Sequence, residues 1–296
     1  MMDGTTSHGR EQREKADRSR VGVLARLPII AAVAIVSGAM AMKPAHAGPV
    51  FGGFDYARGG KNASLRDGDM TVMRADIYAQ YSQAQITATY TLTPAYFSTV
   101  DVVVLTPGFD NFSAIVPLSI SEQQALRQFV NGGGAAIIMT DNMFSTANQD
   151  VMKSFLDPFG MSAAGLLTGQ QPATVAAGSH PLTASVTTLV GYYSGWYDQM
   201  GPATAMAWLN SNGQQFMGLI DWGALQPGSG AVVFVADSIF NDEVIGFGDN
   251  ATFARNAIAY TGSSPVPEID PAGMGSVLAL VTGALGLLER RRLKTA

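Results

Sequence analysis

Six Asp and Asn residues of this sequence follow closely on three apolar segments and could act together on a ligand. The segments are Asp101–Thr106, Ala135–Thr140 and Ala231–Ala236. If each segment is a parallel strand, their carboxyl ends meet at one edge of the sheet, where ligands bind in such folds. The six residues are Asp110, Asn111, Asp141, Asn142, Asp237 and Asp242.

Carboxylates and amides at such an edge suit two kinds of ligand, the hydroxyl groups of a sugar and a hard cation. The alternative is a structural role, because Asp and Asn at strand–helix junctions often accept hydrogen bonds from backbone N–H groups. Both interpretations stay open at this point. We assign no metal ion and no cofactor to the chain.

Nucleophilic catalysis finds little support in the residue types. The chain has no Cys, which excludes disulfides, zinc–thiolate sites and every Cys-nucleophile mechanism. Neither Ser145 nor Ser238 lies in a G-x-S-x-G context. A Ser-His-Asp triad would need His180, the one His outside the first 47 residues, and a His before Pro is typical of a turn. We therefore expect no catalytic residue.

A group of aromatic residues offers a different chemistry. Flat aromatic faces stack on sugar rings, and they also fill protein cores. In the run YYSGWYDQM, which begins at residue 192, the aromatics fall on both phases of strand alternation, so one set must leave the core. Core packing of the other set over the sheet is the favoured alternative. The group comprises Tyr192, Tyr193, Trp196, Tyr197, Trp208 and Trp222.

The sequence patterns around these residues predict an α/β fold. Asp101–Thr106 and Ala135–Thr140 are apolar without alternation, which predicts parallel strands covered on both faces. A helix joins them, because Ser119 stands three residues before Glu122 at capping-box spacing and Asn131-Gly132 ends the apolar pattern.

The remaining elements of the body follow from local patterns. We predict helices over Asp69–Tyr81, Gln149–Leu156 and Ala251–Tyr260, the last one capped by Asn250. Strands over Thr188–Tyr193, Thr204–Leu209 and Phe216–Asp221 would extend the sheet in antiparallel fashion. Further predicted elements are the strands Val50–Tyr56, Gln85–Thr91 and Ala231–Ala236 and a short turn or helix at Pro94–Ser98.

Charge is unevenly distributed along the chain. Residues 48–270 hold 7 basic and 18 acidic residues, a net charge of −11. Such a body repels phosphate backbones, which makes nucleic acid an unsuitable partner. Solubility is the simplest role of the excess acid.

The N-terminal residues 1–47 are typical of a secretory signal peptide. Arg20 and Arg26 precede the apolar run Leu27–Met42, and Ala45-His46-Ala47 gives the small-x-small cleavage pattern. Cleavage after Ala47 leaves Gly48 as the first mature residue and makes the secretion translocon a partner. The alternative is a retained membrane anchor.

The C-terminal residues 263–296 contain three parts in order. Pro265–Pro271 is a proline-rich acidic linker, Gly273–Leu288 is an apolar segment, and a basic end follows. The apolar segment has 16 residues, just below the roughly 17–25 of a comfortable membrane span. The positive-inside rule would keep the basic end in the cytoplasm. Its arginines are Arg290, Arg291 and Arg292.

This tail resembles the PEP-CTERM sorting signal of bacterial proteins. The motif stands here as Val266, Pro267, Glu268, Ile269 and Asp270, with Ile269 where the commoner signal has a second proline. The resemblance implies an exosortase-type enzyme that cuts near Pro267-Glu268 and passes the body to the cell surface or extracellular matrix. The membrane helix would then anchor the chain only transiently. A plain C-terminal anchor is the alternative.

The body, residues 48–262, resembles the class I glutamine amidotransferase-like fold in its branch without catalytic residues. VDVVVLTPG at 100–108, NGGGAAIIMTDN at 131–142 and AVVFVADSIFND at 231–242 carry the resemblance. It implies an α/β three-layer sandwich with a mostly parallel central sheet, flavodoxin-like, to which the termini add apolar helices. An amidotransferase needs a Cys in the region 140–143, where this chain has none.

Together these observations predict an exported, non-catalytic binding or structural protein. It would be delivered to the surface or matrix and recognise extracellular polysaccharide or surface proteins through its strand-end loops. One alternative is a secreted hydrolase that uses the strand-end carboxylates. A passive scaffold of the surface layer, with no ligand at these loops, is another.

Overall fold

Helices and strands intermix over residues 50–156 of the described chain, and seven strands then follow before its last α-helix. The computed structural model describes residues 48–107, 116–141 and 146–263, which belong to one compact unit. The helices are α1 Tyr56–Ala63, α2 Thr71–Gln80, α3 Pro94–Phe97, α4 Ile120–Asn131, α5 Thr146–Leu156 and α6 Asn250–Gly262. The strands are β1 Val50–Gly52, β2 Gln85–Ile86, β3 Val102–Leu105, β4 Ala135–Met139, β5 Ser162–Ala164, β6 Gln171–Val175, β7 Thr188–Gly191, β8 Trp196–Gln199, β9 Thr204–Leu209, β10 Gln215–Ile220 and β11 Val232–Val235.

A single mixed sheet organises the body. Its order is β2-β1-β3-β4-β11-β10-β9-β6-β7, and β8 joins β10 and β5 beside this path. The five strands from β2 to β11 are mutually parallel, whereas the pairs from β11 to β7 are antiparallel. The structure therefore confirms a mixed α/β fold with a parallel half, and it confirms the antiparallel extension of the sheet.

The core surrounds the central parallel strands and continues into β10 of the antiparallel half. Every residue of β3, β4 and β11 is buried, because helices lie against these strands and apolar side chains project from both faces of a strand. Helices α4 and α6 both contact β4, and α6 also packs on α2. Continuous apolar runs without alternation correctly predicted these central strands.

Helix α4 begins as its sequence predicts. The Ser119 hydroxyl accepts a hydrogen bond from the Glu122 backbone N–H at 3.3 Å, and the Glu122 carboxylate accepts from the Ser119 N–H at 2.9 Å. This reciprocal pair satisfies two N–H groups that the first helical turn leaves open.

Glu122 also forms an ion pair that no local sequence pattern predicts. Arg58 of α1 contacts both Glu122 carboxylate oxygens, and the two side chains are 4% and 7% exposed. The Arg58 guanidinium further donates to the Tyr90 carbonyl at 2.7 Å and lies 4.4 Å from the centre of the Phe54 ring. The pair therefore ties α1 to α4 beyond the ends of β1 and β3.

Three predicted elements differ from the structure. The first strand ends at Gly52, because Asp55 accepts from the Arg58 N–H and starts α1. The strand predicted over Gln85–Thr91 is regular only at β2, with a single further bridge at Thr89. Asn250 does not cap α6, since Asp249 takes the N-cap position. The Asn250 side chain instead bonds both backbone groups of Val190 in β7.

Both termini lie outside the described residues. This applies to the signal peptide with Ala45 and Ala47, to the sorting motif at 266–270, to both apolar terminal segments and to the arginines at 290–292. Within the described ranges, no helix combines the length and the hydropathy that a membrane crossing requires.

Candidate functional site

Two of the predicted site residues, Asp141 and Asp237, closely follow neighbouring parallel strands. Met139 of β4 is opposite Val235 of β11, and each acidic residue stands two positions later in its own segment. Adjacent strands are about 4.8 Å apart. Both residues are buried, at 9% and 4% exposure. Both residues therefore lie at the carboxyl edge of the sheet, and a ligand site there stays a prediction.

Asp237 holds a neighbouring segment of the chain. One of its carboxylate oxygens accepts from the Tyr192 N–H at 2.5 Å and from the Ser194 hydroxyl at 3.0 Å. Burial raises the pKa of Asp237 to about 6, although hydrogen bonds from Tyr192, Ser194 and Ser238 partly offset this increase. Among the described residues, no Lys, Arg or His forms an ion pair with it.

The segment that Asp237 holds consists of Gly191, the last residue of β7, and the link to β8. We call residues 191–195 the 191–195 connection. Its Gly195 N–H donates to the Ala236 carbonyl at 3.1 Å, directly beyond β11. Gly191 has no room for a side chain, because a Cβ there would lie 2.0 Å from the Ser194 hydroxyl oxygen and 2.5 Å from an Asp237 carboxylate oxygen. The connection therefore packs closely over the strand ends.

Two tyrosines of this connection face solvent. Tyr192 is 42% exposed and Tyr193 is 47% exposed, and their rings meet edge to face with centroids 4.8 Å apart. We call Tyr192 and Tyr193 the tyrosine pair. Tyr197 of β8, by contrast, is fully buried, and its hydroxyl lies 3.2 Å from the Thr140 hydroxyl. As the sequence predicts, one set of aromatics packs inside while another leaves the core.

A cleft of about 360 Å³ lies beside the connection, between α5 and β5. The Gly165 Cα lies against the ring of Trp196, so the cleft adjoins the end of the 191–195 connection. Nearby, the Leu167 N–H donates to the Ser194 carbonyl at 2.8 Å. The cleft is lined by Gln149, Lys153, Ser162, Ala163, Ala164 and Gly165.

Asp242 bonds to the start of helix α2 and not to the 191–195 connection. Its carboxylate accepts from the Thr71 hydroxyl at 2.6 Å and from the Val72 N–H at 3.1 Å, so it satisfies the first turn of α2. Burial tends to raise its pKa, but these hydrogen bonds lower it overall. Asp242 therefore has a structural role, because it accepts hydrogen bonds at the start of a helix.

His180 is a turn residue, as its position before Pro181 indicates. Its Nδ1 accepts from the Leu182 N–H at 3.1 Å, and its ring packs edge to face on Tyr260. The charged group nearest to it is Asp221, at 3.9 Å. Ser238 pairs with the Asn241 side chain, so these contacts include no Ser–His pair.

The other predicted site residues, Asp110, Asn111 and Asn142, lie outside the described residues. In the described ranges, no group of three or more His, Cys, Asp or Glu side chains could hold a metal ion. No sequence pattern indicates Ser194, since a lone Ser in an aromatic run carries no motif.

Comparison with known proteins gives structural matches only. No protein-family model and no curated protein matches the sequence. The mmIFT52 N-terminal domain superposes with a TM-score of 0.57 at 10% identity, over 74% of this chain and 98% of that chain. A GMP synthase protein from Thermoplasma acidophilum gives 0.48 at 10% identity, over 74% and 96%. A ThuA-like protein from Bacteroides uniformis gives 0.45 at 12% identity, over 72% and 89%.

These similarities concern the fold alone, because the sequence identities are 10% and 12%. A shared fold does not carry a shared activity, so the function has to be argued from the site.

Proposed function

We propose that this protein is an exported, non-catalytic module that binds polysaccharide through the tyrosine pair. One observation carries the proposal: two exposed, mutually packed tyrosines lie on a connection that a buried carboxylate anchors at the carboxyl edge of the sheet. Ligands bind at this edge in open α/β sheets. Aromatic faces with a polar hydroxyl suit a sugar ring, which has apolar C–H faces and a polar rim.

The anchoring of the pair favours binding energetically. A ligand that orders a mobile loop loses affinity to the entropy of ordering, whereas a connection held in place beforehand avoids that loss. Here Asp237, Ala236 and Leu167 all form hydrogen bonds with residues of the connection. The two rings are therefore presented on a fixed backbone.

The charge of the body narrows the class of polysaccharide. Seven basic and 18 acidic residues between positions 48 and 270 repel carboxylated or sulfated chains. We therefore expect neutral polysaccharides such as dextran or xylan to bind better than an acidic one such as alginate.

The proposal also covers the localisation of the protein. The signal-like leader at 1–47 and the PEP-CTERM-like tail at 263–296 support secretion, processing by an exosortase-type enzyme and delivery to a bacterial surface or matrix. The body would be a non-catalytic amidotransferase-like three-layer sandwich, since the chain has no Cys for that chemistry.

Replacing both members of the tyrosine pair with Ala is expected to weaken polysaccharide binding at least about tenfold, because each ring contributes on the order of 1 kcal/mol. Affinity electrophoresis of the full chain through gels containing dextran, xylan or alginate measures the change. Thermal unfolding should stay close to that of the parent protein, since both rings are exposed.

The matched control replaces Tyr78 and Tyr90 with Ala. These tyrosines are 49% and 53% exposed and lie on other elements, so the control removes the same chemistry elsewhere. Equal retardation of the two double variants by every polysaccharide would refute the proposed site.

A second candidate, a secreted hydrolase, is favoured by the two acidic residues, Asp141 and Asp237, that follow the neighbouring strands β4 and β11. A buried carboxyl group with a raised pKa can serve as a general acid, and the pKa of Asp237 is raised to about 6. Release of reducing sugar ends from the bound polysaccharide distinguishes the two functions. Turnover that disappears in Asp141→Asn would establish the hydrolase, and binding without turnover supports the module.

A further inference from the structure

We propose that Asp237 is a positioning residue that makes the position of the tyrosine pair depend on pH. The 191–195 connection, which carries both tyrosines, is closed over Asp237 most firmly at acidic pH. This inference rests on the proposed function only for the effect of pH on polysaccharide binding. The motion itself is a property of the connection and can be measured without a ligand.

The geometry couples the carboxyl group to the connection. Asp237 is 4% exposed because the connection covers it, and the same connection supplies the Tyr192 N–H and the Ser194 hydroxyl to one of its oxygens. Gly191 adds to the cover, since its Cα is too close to Asp237 and Ser194 to carry a Cβ. Opening of the connection would therefore expose the carboxyl group to water.

The groups around Asp237 provide no positive charge. The titratable side chains on the surrounding elements are acids and phenols, and no described Lys, Arg or His pairs with Asp237. Burying an ionised carboxylate without a cation is unfavourable, even with the hydrogen bonds that it accepts. The titratable groups on the neighbouring segments are Asp141 after β4, Tyr192 and Tyr193 of the connection and Tyr197 of β8. Asp242 and Glu243 follow in the chain, but they bond to Thr71 and Lys61 instead.

The sign of the effect follows from linkage. The pKa of Asp237 is raised to about 6 in the closed form, whereas an exposed Asp has a pKa near 3.9. The closed form therefore binds the proton more tightly, and protonation favours closure. Between pH 5 and pH 8 the opening equilibrium should shift toward the open form by roughly tenfold.

A second carboxylate of similar geometry provides a matched control. Asp249 accepts from the Thr187 N–H at 2.8 Å, the Thr187 hydroxyl at 2.9 Å and the Thr188 N–H at 3.0 Å, at the other end of β7. Its pKa is lowered by these hydrogen bonds, so it stays ionised across the same pH range. Removing its charge should not alter the pH dependence at the connection.

Amide hydrogen exchange of the full chain at pH 5 and pH 8, corrected for intrinsic rates, tests the inference. The protection factors of the Tyr192 and Gly195 amides should be roughly tenfold higher at pH 5. Asp237→Asn, which mimics the neutral acid, should remove this difference, and Asp249→Asn should keep it. Equal protection at both pH values in the parent protein would overturn the inference, even if Asp237→Asn fails to fold.

Affinity electrophoresis at the same two pH values separates this inference from the proposed function. Retarded migration in dextran or xylan with no pH-dependent protection would overturn the inference and leave the binding function standing. Protection factors that are tenfold higher at pH 5 than at pH 8, without retarded migration in any polysaccharide, would support the inference and refute the binding function.

Discussion

Replacing Glu122 with Ala is expected to lower the free energy of unfolding by about 3–5 kcal/mol, because it leaves the buried Arg58 guanidinium without its counter-charge. The same change removes the acceptor for the Leu92 N–H, which bonds a Glu122 oxygen at 3.1 Å. It also removes half of the capping box that starts α4. Urea unfolding at pH 7 measures the loss.

Asp67→Ala is the matched control for this prediction. Asp67 pairs with Arg66 at 2.7 Å, but the two side chains are 39% and 47% exposed, so the change should cost less than about 1 kcal/mol. A Glu122→Ala protein as stable as Asp67→Ala would show that the Arg58–Glu122 pair does not hold α1 and α4 together.

The Glu122 contribution should depend on pH in a defined direction. Burial raises its pKa, but hydrogen bonds from Arg58, Ser119 and Leu92 outweigh burial and hold the pKa below its ordinary value. A carboxyl group with a lowered folded-state pKa stabilises above its unfolded-state pKa and loses that stabilisation in acid. The stability difference between the parent protein and Glu122→Ala should therefore shrink as the pH falls below about 4.5.

Replacing Gly230 with Ala is expected to destabilise the protein by at least about 3 kcal/mol, because a Cβ there would lie 1.9 Å from the Gly134 carbonyl oxygen. That oxygen belongs to the backbone just before β4 and cannot rotate away. The Gly230 N–H also donates to the Val130 carbonyl at 2.7 Å, which fixes the approach of the two chain segments. Thermal unfolding measures the change.

Gly178→Ala provides the comparison, since no heavy atom lies within 4 Å of its Cβ position. This substitution should change stability by less than about 0.5 kcal/mol. A Gly230→Ala protein that unfolds at the same temperature as Gly178→Ala would contradict the close approach of the segments before β4 and β11.

The parallel half of the fold could be predicted because its strands are unambiguous. Residues 102–105, 135–139 and 232–235 are continuously apolar and bounded by turn residues, which is the pattern of strands covered on both faces. Strands β5, β6 and β8 were not predicted from the sequence. Their apolar patterns are short and lie among Gly, Pro and Thr residues, and their strand conformation depends on pairing with other strands.

The site could be predicted only in part, for physical reasons. Strands β4 and β11 are parallel neighbours, so Asp141 and Asp237, which follow them, lie at the same edge of the sheet. Their joint action on a ligand stays a prediction. Asp242 follows the same strand, but a turn directs it to α2, where it bonds Thr71. The contacts of Ser194 and of Arg58 depend on partners 43 and 64 residues away, and no local pattern encodes such distances.

Polysaccharide protection of backbone amides in the full chain tests the central claim most directly. Saturating dextran or xylan should slow hydrogen exchange at residues 192–195, where the tyrosine pair is anchored to Asp237. The amides around Tyr78 should exchange at unchanged rates. Protection confined to any other surface, with residues 192–195 unaffected, would contradict the assignment of this edge of the sheet as the binding site.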